Sequence, residues 1–227
     1  MELTEAIRSR RSIRGFKPDQ VPVESIQGIL DLARLSPSAT NCQPWEFIVL
    51  AGDSLEMAKR VNTEQSELGA HIKPDFKALP PNMLPDSYGE RQEALAKDLF
   101  GVLGIERNDK PERKGWQLKG KRFFDAPMAI LICVDEAVFN EQHHISLVDL
   151  GIVTQTIALA ALELGLGTCL QQDTIFYPDA LRESLDIPAS KRLIVSIAIG
   201  YPDWELPANA FRSQREPLES LVTWKTW

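Results

Sequence analysis

The segment that most restricts how this chain can fold is Ile145–Leu164, an apolar stretch with the length of a long helix. Apolar residues fall on every side of that helix, Ile152 and Ile157 among them. A helix that is hydrophobic all round has to be fully buried. In a chain of 227 residues, we therefore expect it to be covered by a sheet and also by a partner subunit. Gly165 and Gly167 are expected to end it as C-cap residues.

Short apolar runs that alternate with helical patterns indicate the rest of the architecture. The runs predicted as strands are Glu46–Leu50, Met128–Val134, Thr168–Leu170 and Leu193–Ile199. Helices are predicted at Glu2–Ser9, Pro22–Leu35, about Asp53–Val61, and Pro178–Leu185. This alternation is typical of an α/β or α+β protein with a central sheet and helices on both faces. The length favours a single domain over residues 1–227.

The middle of the chain, about residues 62–121, forms an insertion without a familiar signature. Its prolines predict no regular structure across residues 72–90; they are Pro74, Pro80, Pro81 and Pro85. Arg91–Leu103 is predicted as a helix, and Asn108–Lys121 is predicted as a charged loop. Long irregular stretches inside compact chains often serve as lids or binding loops.

Two interpretations of this insertion remain open, a surface excursion and a lid over a binding site. The aromatic residues Trp116, Phe123 and Phe124 favour the lid. If these rings are exposed beside a bound flat ligand, they would stack on it. We therefore expect the insertion to cover a site for small aromatic molecules.

Composition excludes several classes of partner. A net charge of −7 argues against nucleic acid, which needs a broad basic surface, and against docking on anionic lipid. No apolar run approaches the ~20 residues of a membrane span, so no transmembrane helix is expected. The acidic N-terminus has no apolar signal core, which makes the cytoplasm the expected location.

Cysteine and histidine usage points away from metal and disulfide chemistry. The chain has 3 cysteines and 3 histidines. Cys42, Cys133 and Cys169 show no paired spacing, so a disulfide or metal role is not expected. The neighbouring His143 and His144 would point about 100° apart on a helix and cannot easily share one ion. A catalytic histidine stays open at either position, and a surface or helix-start role is the alternative.

The segment Arg10–Arg14 reads Arg-Arg-Ser-Ile-Arg and indicates an anion site. Three guanidinium groups so close together repel one another unless an anion lies among them. Arginine offers a rigid fork of donors that matches phosphate oxygens, and serine adds a neutral donor. The alternative is a solvated basic turn. A second unusual segment, Ser36–Trp45, reads Ser-Pro-Ser-Ala-Thr-Asn-Cys-Gln-Pro-Trp. By itself that segment is a helix stop followed by a turn.

Together these motifs resemble the FMN-dependent nitroreductase family. Arg-Arg-Ser-x-Arg is followed, about one helix later, by Ser-Pro-Ser-Ala-x-Asn-x-Gln-Pro-Trp. Three further segments agree with the family pattern: Gly165–Cys169, Ile199–Pro202 and Arg212–Leu218. The resemblance covers nearly the whole chain apart from the insertion. It implies a nitroreductase-like fold with a central mixed sheet, an intertwined homodimer and an extended C-terminal arm.

The resemblance also implies which residues bind the cofactor, FMN. Arg10, Arg11, Ser12 and Arg215 would contact the phosphate and ribityl chain, with Arg212 a further member. In the family a lysine often precedes the last arginine by two positions, where this chain has Ser213. Pro37, Ser38, Ala39 and Asn41 would reach the flavin from the second subunit, and Gln43 would hold that loop. Leu170, Gln171 and Gln172 would line the ring, with a backbone N–H near Gln172 facing flavin N5. Thr40, Phe123 and Phe124 are expected near the substrate.

Arg14 is expected to tune the flavin. The resemblance places it at the pyrimidine edge of the ring, where two-electron reduction puts negative charge. A fixed cation in a site of low dielectric stabilises that charge and raises the reduction potential. The alternative is an exposed arginine beside Asp19, where an ion pair contributes little.

The implied activity is the two-electron reduction of nitroaromatic compounds, or of quinones, by a ping-pong hydride mechanism with NADH or NADPH as donor. Such a reaction needs no protein nucleophile, and no Ser/His/Asp or Cys/His signature is present. Other flavin enzymes on the same fold remain open, namely ene-reductases, dehalogenases and flavin reductases. A flavin-binding protein without turnover is the alternative from another class.

Overall fold

We analysed a computed structural model that describes residues 1–76, 83–140 and 144–225. Three positions named above lie outside these ranges: Pro80, Pro81 and His143. The expectations about them therefore stay predictions.

A four-stranded sheet forms the centre of the described protein. Its strands are β1 (Glu46–Ala51), β2 (Met128–Asp135), β3 (Gly167–Gln171) and β4 (Lys191–Gly200), in the spatial order β1-β2-β4-β3. Each matches a predicted strand, extended by one to three residues. All neighbouring strands run antiparallel, so the sheet is not the mixed sheet that the resemblance implies. The reason is the position of β4, which separates the mutually parallel β2 and β3.

The helices surround this sheet. They are α1 (Leu3–Ser9), α2 (Val23–Ala33), α3 (Gly52–Glu67), α4 (Asp86–Val102), α5 (Lys110–Lys121), α6 (Ile145–Glu163), α7 (Pro178–Leu185), α8 (Pro207–Ala210) and α9 (Leu218–Leu221). Short 3₁₀ turns lie at Ala39–Asn41, Phe123–Asp125 and Asp173–Ile175. The tail is therefore not simply extended, since Pro207 begins α8 and Pro217 directly precedes α9.

Two apolar cores confirm helices on both faces of the sheet. Side chains on β2 alternate, with Ile130 and Ile132 packed into one core and Leu131 and Cys133 into the other. The first core is closed by α2 and α6, and the second by α3 and α7. This alternation follows from the period of two along a strand.

The long apolar helix α6 is not fully buried in a single chain. Its inner side packs on α2 and the sheet, but Ile145 is 61% exposed and Val148 is 58% exposed. Within the described part of the chain, α6 is also the one helix long and apolar enough to cross a membrane. A core helix of a globular protein passes the same test. Gly165 ends α6 with a φ of +70°, as predicted, whereas Gly167 belongs to β3 and is not a cap.

The insertion contains more helix than the sequence predicted. α4 begins at Asp86, because Pro85 immediately precedes the helix, where proline is tolerated. The predicted loop Asn108–Lys121 is wrong, since Lys110–Lys121 forms α5. Its first turn is capped by Asp109, whose side chain accepts a hydrogen bond from the Glu112 N–H at 3.1 Å. High charge and a glycine concealed this helix.

The prediction that Phe123 and Phe124 are exposed is also wrong. Phe123 is completely buried and Phe124 is 7% exposed, and both belong to the second core. A left-handed turn, with φ of 57° and 53° at these positions, directs both rings inward. Trp116 is half-buried, with its ring centroid 5.5 Å from that of Phe124. Buried rings cannot stack on a substrate, so they stabilise the end of the insertion instead.

Candidate functional site

The arginine segment, Arg10–Arg14, lies along the free edge of β3. Ser12 forms a parallel bridge with Thr168, and the Ile13 N–H donates to the Thr168 carbonyl at 2.9 Å. Gly167 permits this close approach, since a Cβ there would lie 2.5 Å from the Ile13 side chain. The extended backbone of the segment therefore comes from strand pairing, which places alternate side chains on opposite sides.

Asn209 joins the arginine segment to the C-terminal part of the chain. Its fully buried side chain accepts a hydrogen bond from the Arg14 N–H at 2.6 Å and donates to the Gly15 and Asp203 carbonyls, each at 2.7 Å. Its own carbonyl accepts from Arg11 Nη1 at 3.4 Å. A side chain that saturates three backbone groups fixes both segments. The sequence reasoning missed Asn209, because a single asparagine in a short helix carries no signal.

These contacts bring the sequence-predicted arginines to one pocket of about 480 Å³. The lining residues are Ile7, Arg8, Arg10, Arg11, Ser12, Arg14, Leu95, Phe211, Arg212, Ser213 and Arg215. We call Arg10, Arg11, Arg14, Arg212 and Arg215 the arginine cluster. Within residues 1–76, 83–140 and 144–225, no member of the cluster forms an ion pair with a carboxylate.

The charge of the cluster is therefore uncompensated by the protein. Burial lowers the pKa of Arg10, and the neighbouring Arg215 lowers it further. Burial also lowers the pKa of Arg11, with Arg212 adding to the effect. Like charges held together in a partly buried pocket favour the binding of an anion.

Ser213 has a clear role at the position where the family often has lysine. Its hydroxyl accepts a hydrogen bond from Arg215 Nη1 at 2.7 Å, and its carbonyl accepts from the same nitrogen at 3.2 Å. Arg212 donates to the Arg8 carbonyl at 2.7 Å, which ties the arm to α1. Serine thus orients the last arginine, and the pocket loses one cation relative to the family pattern.

Arg14 is half-buried and lines the pocket. Its Nη1 donates to the Ser12 carbonyl at 3.4 Å. The alternative of an exposed ion pair with Asp19 finds no support, since no such pair occurs among the described residues. The side chain is therefore available to a ligand in the pocket.

The loop of residues 37–43 forms a strained turn at the end of α2. Thr40, Asn41 and Gln43 have φ of 52°, 58° and 49°, values that are unfavourable for residues other than glycine. Such strain costs on the order of 1–3 kcal/mol per residue and concentrates at functional sites. Gln43 holds the loop as predicted, because its N–H donates to Ser38 Oγ at 2.9 Å and its amide to the Asn41 carbonyl at 3.2 Å. Pro37, Thr40 and Asn41 are exposed, and Ser38 and Ala39 are half-buried.

The residues at the end of β3 differ in exposure. Leu170 is 39% exposed, Gln172 is half-buried and Gln171 is buried. The Gln171 amide donates to the Gly120 carbonyl at 3.0 Å and to Asp173 Oδ1 at 3.2 Å. Its side-chain nitrogen therefore anchors the end of α5, and its side-chain oxygen is buried without a hydrogen-bond partner among the described residues.

The cysteines show no sign of nucleophilic or metal chemistry. Cys42 is exposed, and Cys133 and Cys169 are buried free thiols. Burial raises the pKa of Cys133 to about 12 and that of Cys169 to about 11. Protonated thiols are poor nucleophiles and poor metal ligands. Among the described residues, no group of three or more His, Cys, Asp or Glu is arranged to hold a metal ion.

The donors of the pocket fit the phosphate and polar chain of a flavin mononucleotide. The arginine cluster supplies charged donors without carboxylate competitors, and Ser12 supplies a hydroxyl. Thr168, bridged to Ser12, has a buried hydroxyl with no hydrogen-bond partner in the protein.

Comparison with known proteins places this geometry in context. The nitroreductase family model matches residues 7–201. A 4-nitrobenzoate reductase from Nocardioides sp. is 31% identical over 220 residues, which cover 96% of this chain and 87% of the relative. The nitroreductase NfnB of Mycolicibacterium smegmatis is 30% identical over 217 residues, which cover 95% of this chain and 89% of that protein.

Solved structures agree with the fold. The FMN-dependent nitroreductase NfnB from Mycobacterium smegmatis, in complex with NADPH, matches with a TM-score of 0.90 at 26% identity, over 98% of this chain and 97% of that one. The FMN- and NADPH-dependent NfnB of Sphingopyxis sp. strain HMH gives a TM-score of 0.93 at 26% identity, over 100% of both chains.

Proposed function

Since this chain belongs to the nitroreductase family, we propose that it catalyses the NAD(P)H-dependent, two-electron reduction of nitroaromatic compounds with bound FMN. Its enzyme class, an FMN-dependent oxidoreductase of the nitroreductase type that uses NAD(P)H, follows from its relatives. The observation that carries the specific proposal is the arginine cluster, a set of pocket-lining cations without carboxylate partners. Quinones are a second electron-poor class of substrate.

Each part of the pocket has a role in this proposal. Arg10, Arg11, Ser12 and Arg215 bind the phosphate and ribityl chain, with Arg212 at the outer side. Charge-assisted hydrogen bonds of this kind contribute about 1.5–3 kcal/mol each. Bound FMN supplies hydride transfer from NAD(P)H to the substrate in a ping-pong sequence. The exposed side chain of Leu170 and the backbone near Gln172 line the ring.

Arg14 provides a fixed positive charge at the pocket. Half-burial limits its solvation, so its attraction for developing negative charge is stronger than in water. The side chain thereby favours the reduced cofactor and accelerates delivery of hydride to it. The Asn209 hydrogen bond to the Arg14 N–H holds the backbone from which this side chain extends.

We further propose that the enzyme is a homodimer in which the 37–43 loop reaches the flavin of the second subunit. Ile145 and Val148 on α6 leave an exposed apolar face in the single chain. The tail adds exposed apolar side chains, with Leu218 at 64%, Leu221 at 68% and Trp224 at 79%. Exposed apolar surface of this kind marks a protein interface. Sedimentation of a flavin-loaded monomer at micromolar concentration would refute this part.

The insertion, about residues 62–121, acts in this proposal as a lid on a single domain of residues 1–227. Leu95 of α4 lines the arginine pocket, and Arg91 Nη1 lies 3.4 Å from Glu216 Oε1 on the C-terminal arm. These contacts set one side of the insertion over the anion site. We expect the enzyme in the cytoplasm, with neither nucleic acid nor a membrane as partner.

The decisive experiment begins with the purified protein. We expect one FMN per subunit, reduction of that flavin by NADPH or NADH under anaerobic conditions, and steady oxidation of NAD(P)H on addition of a nitrobenzoate or nitrofuran. Quinones and enones, tested in parallel, define the substrate range. A protein without flavin, or with a flavin that neither nicotinamide reduces, would contradict the proposal.

A further inference from the structure

We propose that Asp149 is a positioning residue that holds the 37–43 loop in the conformation in which it contacts the flavin. The inference rests on the proposed function, because the contact between loop and FMN is part of that proposal. Asp149 lies on α6 and is 4% exposed. Its Oδ1 accepts a hydrogen bond from the Ala39 N–H at 3.1 Å.

Burial of the Asp149 carboxylate in the core is energetically unfavourable, which indicates that this side chain has a specific role. Across the described residues, this carboxylate has no ion pair with a lysine or arginine. A buried carboxylate without a cation loses solvation that one hydrogen bond only partly replaces. Apolar side chains fill most of the inner face of α6, and one more at position 149 would avoid this loss. We therefore attribute the presence of an acidic side chain at position 149 to its hydrogen bond with the Ala39 N–H.

The loop needs such an anchor because its own backbone is strained. Thr40 and Asn41 follow Ala39 directly in the left-handed region. The remaining hydrogen bonds of residues 38–43 among the described residues are internal to the loop, such as that from the Asn41 N–H to the Ser38 carbonyl at 3.0 Å. Asp149 thus provides the hydrogen bond that fixes residues 38–43 to α6, in addition to the bond between Ser36 Oγ and Thr156 Oγ1 at 2.9 Å just before the loop. A charged acceptor makes the Asp149 bond stronger than a neutral one would.

Variants on both sides of the hydrogen bond test the assignment. Asp149→Ala removes the acceptor, and Asp149→Asn keeps an oxygen in its place. Ala39→Pro removes the donor, and proline suits this position because Ser38 is already extended with ψ of 155° and residue 39 begins the 3₁₀ turn. Ser146→Ala is the matched control, since Ser146 is a 2% exposed polar residue of α6 that bonds to the Val138 carbonyl and not to the loop.

The first readout is amide hydrogen exchange of a peptide spanning residues 36–45, which requires neither flavin nor turnover. We expect the fastest exchange in Asp149→Ala and Ala39→Pro, intermediate exchange in Asp149→Asn, whose neutral oxygen accepts a weaker bond, and wild-type exchange in Ser146→Ala. The second readout is the rate of flavin reduction by NAD(P)H in the FMN-loaded enzyme. We expect this rate to fall about 10- to 100-fold in Asp149→Ala and in Ala39→Pro, because a displaced loop misaligns the reactants. The Asp149→Ala, Ala39→Pro double variant should be no slower than either single variant, since both remove one bond.

Wild-type exchange in Asp149→Ala and in Ala39→Pro would overturn the proposal, and so would an Asp149→Asn enzyme as impaired as Asp149→Ala. If Asp149→Ala does not fold, Ala39→Pro alone decides, because it leaves the core of α6 unchanged. A wild-type protein that no nicotinamide reduces would refute the proposed function. Exchange at residues 36–45 would then still show whether Asp149 anchors the loop.

Discussion

Two groups of arginines in this molecule have opposite surroundings. Arg182 is buried and pairs with Asp75, which also accepts a hydrogen bond from the Leu193 N–H at 2.8 Å. Arg182 has a second carboxylate, Asp179, at 3.0 Å and donates to the Lys191 carbonyl at 2.8 Å. The arginine cluster has no carboxylate partner among the described residues, and its members repel one another.

The difference separates structural arginines from binding arginines. The Arg182–Asp75 pair ties the start of the insertion to α7 and β4, and its charges are satisfied within the protein. The arginine cluster is exposed to a pocket, and its charges are satisfied only when an anion binds. Removal of Arg182 should therefore damage stability, whereas removal of cluster arginines should damage ligand binding.

The largest expected effect concerns the cluster. The Arg10→Ala, Arg215→Ala double variant should bind FMN about 10²- to 10⁴-fold more weakly, since each charge-assisted bond contributes about 1.5–3 kcal/mol. Its thermal stability without FMN should be unchanged or slightly higher, because the repulsion between Arg10 and Arg215 is relieved. Fluorescence titration of the apoprotein measures the affinity. Arg34→Ala with Arg60→Ala removes the same charge elsewhere and should leave FMN affinity intact.

Arg182→Ala should produce the converse result. Removal of Arg182 leaves buried Asp75 with only the Leu193 N–H at 2.8 Å and Arg192 Nη1 at 3.8 Å, and should lower the free energy of unfolding by about 3–5 kcal/mol. Whatever fraction remains folded should retain its FMN affinity. Urea denaturation followed by circular dichroism provides the measurement. A loss of unfolding free energy below about 1 kcal/mol would contradict the distinction between Arg182 and the arginine cluster.

Arg14→Gln tests the proposal that one member of the cluster acts on the ring and not on the phosphate. FMN should remain bound by the other arginines, but the two-electron potential should fall by about 30–60 mV, since about 30 mV corresponds to about 1.4 kcal/mol. Flavin reduction by NAD(P)H should slow in parallel. Dye-coupled titration measures the potential. An unchanged potential with bound flavin would place Arg14 among the residues without influence on the ring.

The smallest expected effect is on the pH dependence of stability, and it concerns two buried thiols, one near each group of arginines. Cys169 is influenced by Arg14 and Arg10, and Cys133 by Lys191 and Arg182. Burial raises both pKa values, so the folded protein keeps protons that the unfolded chain releases. Stability is then full below about pH 8 and should fall by about 1 kcal/mol per thiol by about pH 9.5, with further loss up to the folded pKa values of about 11 for Cys169 and about 12 for Cys133.

Denaturation at several pH values tests this expectation. Cys169→Ala and Cys133→Ala should each reduce the alkaline loss of stability, whereas the exposed Cys42→Ala should not. An alkaline loss that persists unchanged in the double variant would contradict the assignment to these thiols.

Strands and the pocket-lining arginine segment were predictable from the sequence because their signals are local. The apolar run of β2 and the residues of the segment Arg10–Arg14 that line the pocket each stand out within a few neighbouring residues. Asn209 and Asp149 were not identified, because each is one polar residue whose partners lie far away along the chain. The burial of Phe123 depends on a left-handed turn that residue propensities disfavour.

The helix α5 was missed for a different reason. The prediction gave weight to the high charge of residues 108–121, whereas in the structure Asp109 caps the helix and a proline lies in its first turn. The helix α6 is only partly buried in the single chain, and so sequence alone identified its apolar character but not how much of each face is covered.

The central role proposed for the arginine cluster is to bind the phosphate of FMN. Comparison of FMN with riboflavin, which has the same ring and ribityl chain but no phosphate, tests that claim most directly. Titration of the apoprotein with each compound at one ionic strength should show FMN bound at least about 100-fold more tightly, as expected from two or more charge-assisted bonds. Equal affinities for FMN and riboflavin would show that the cluster does not hold the phosphate and would contradict the account.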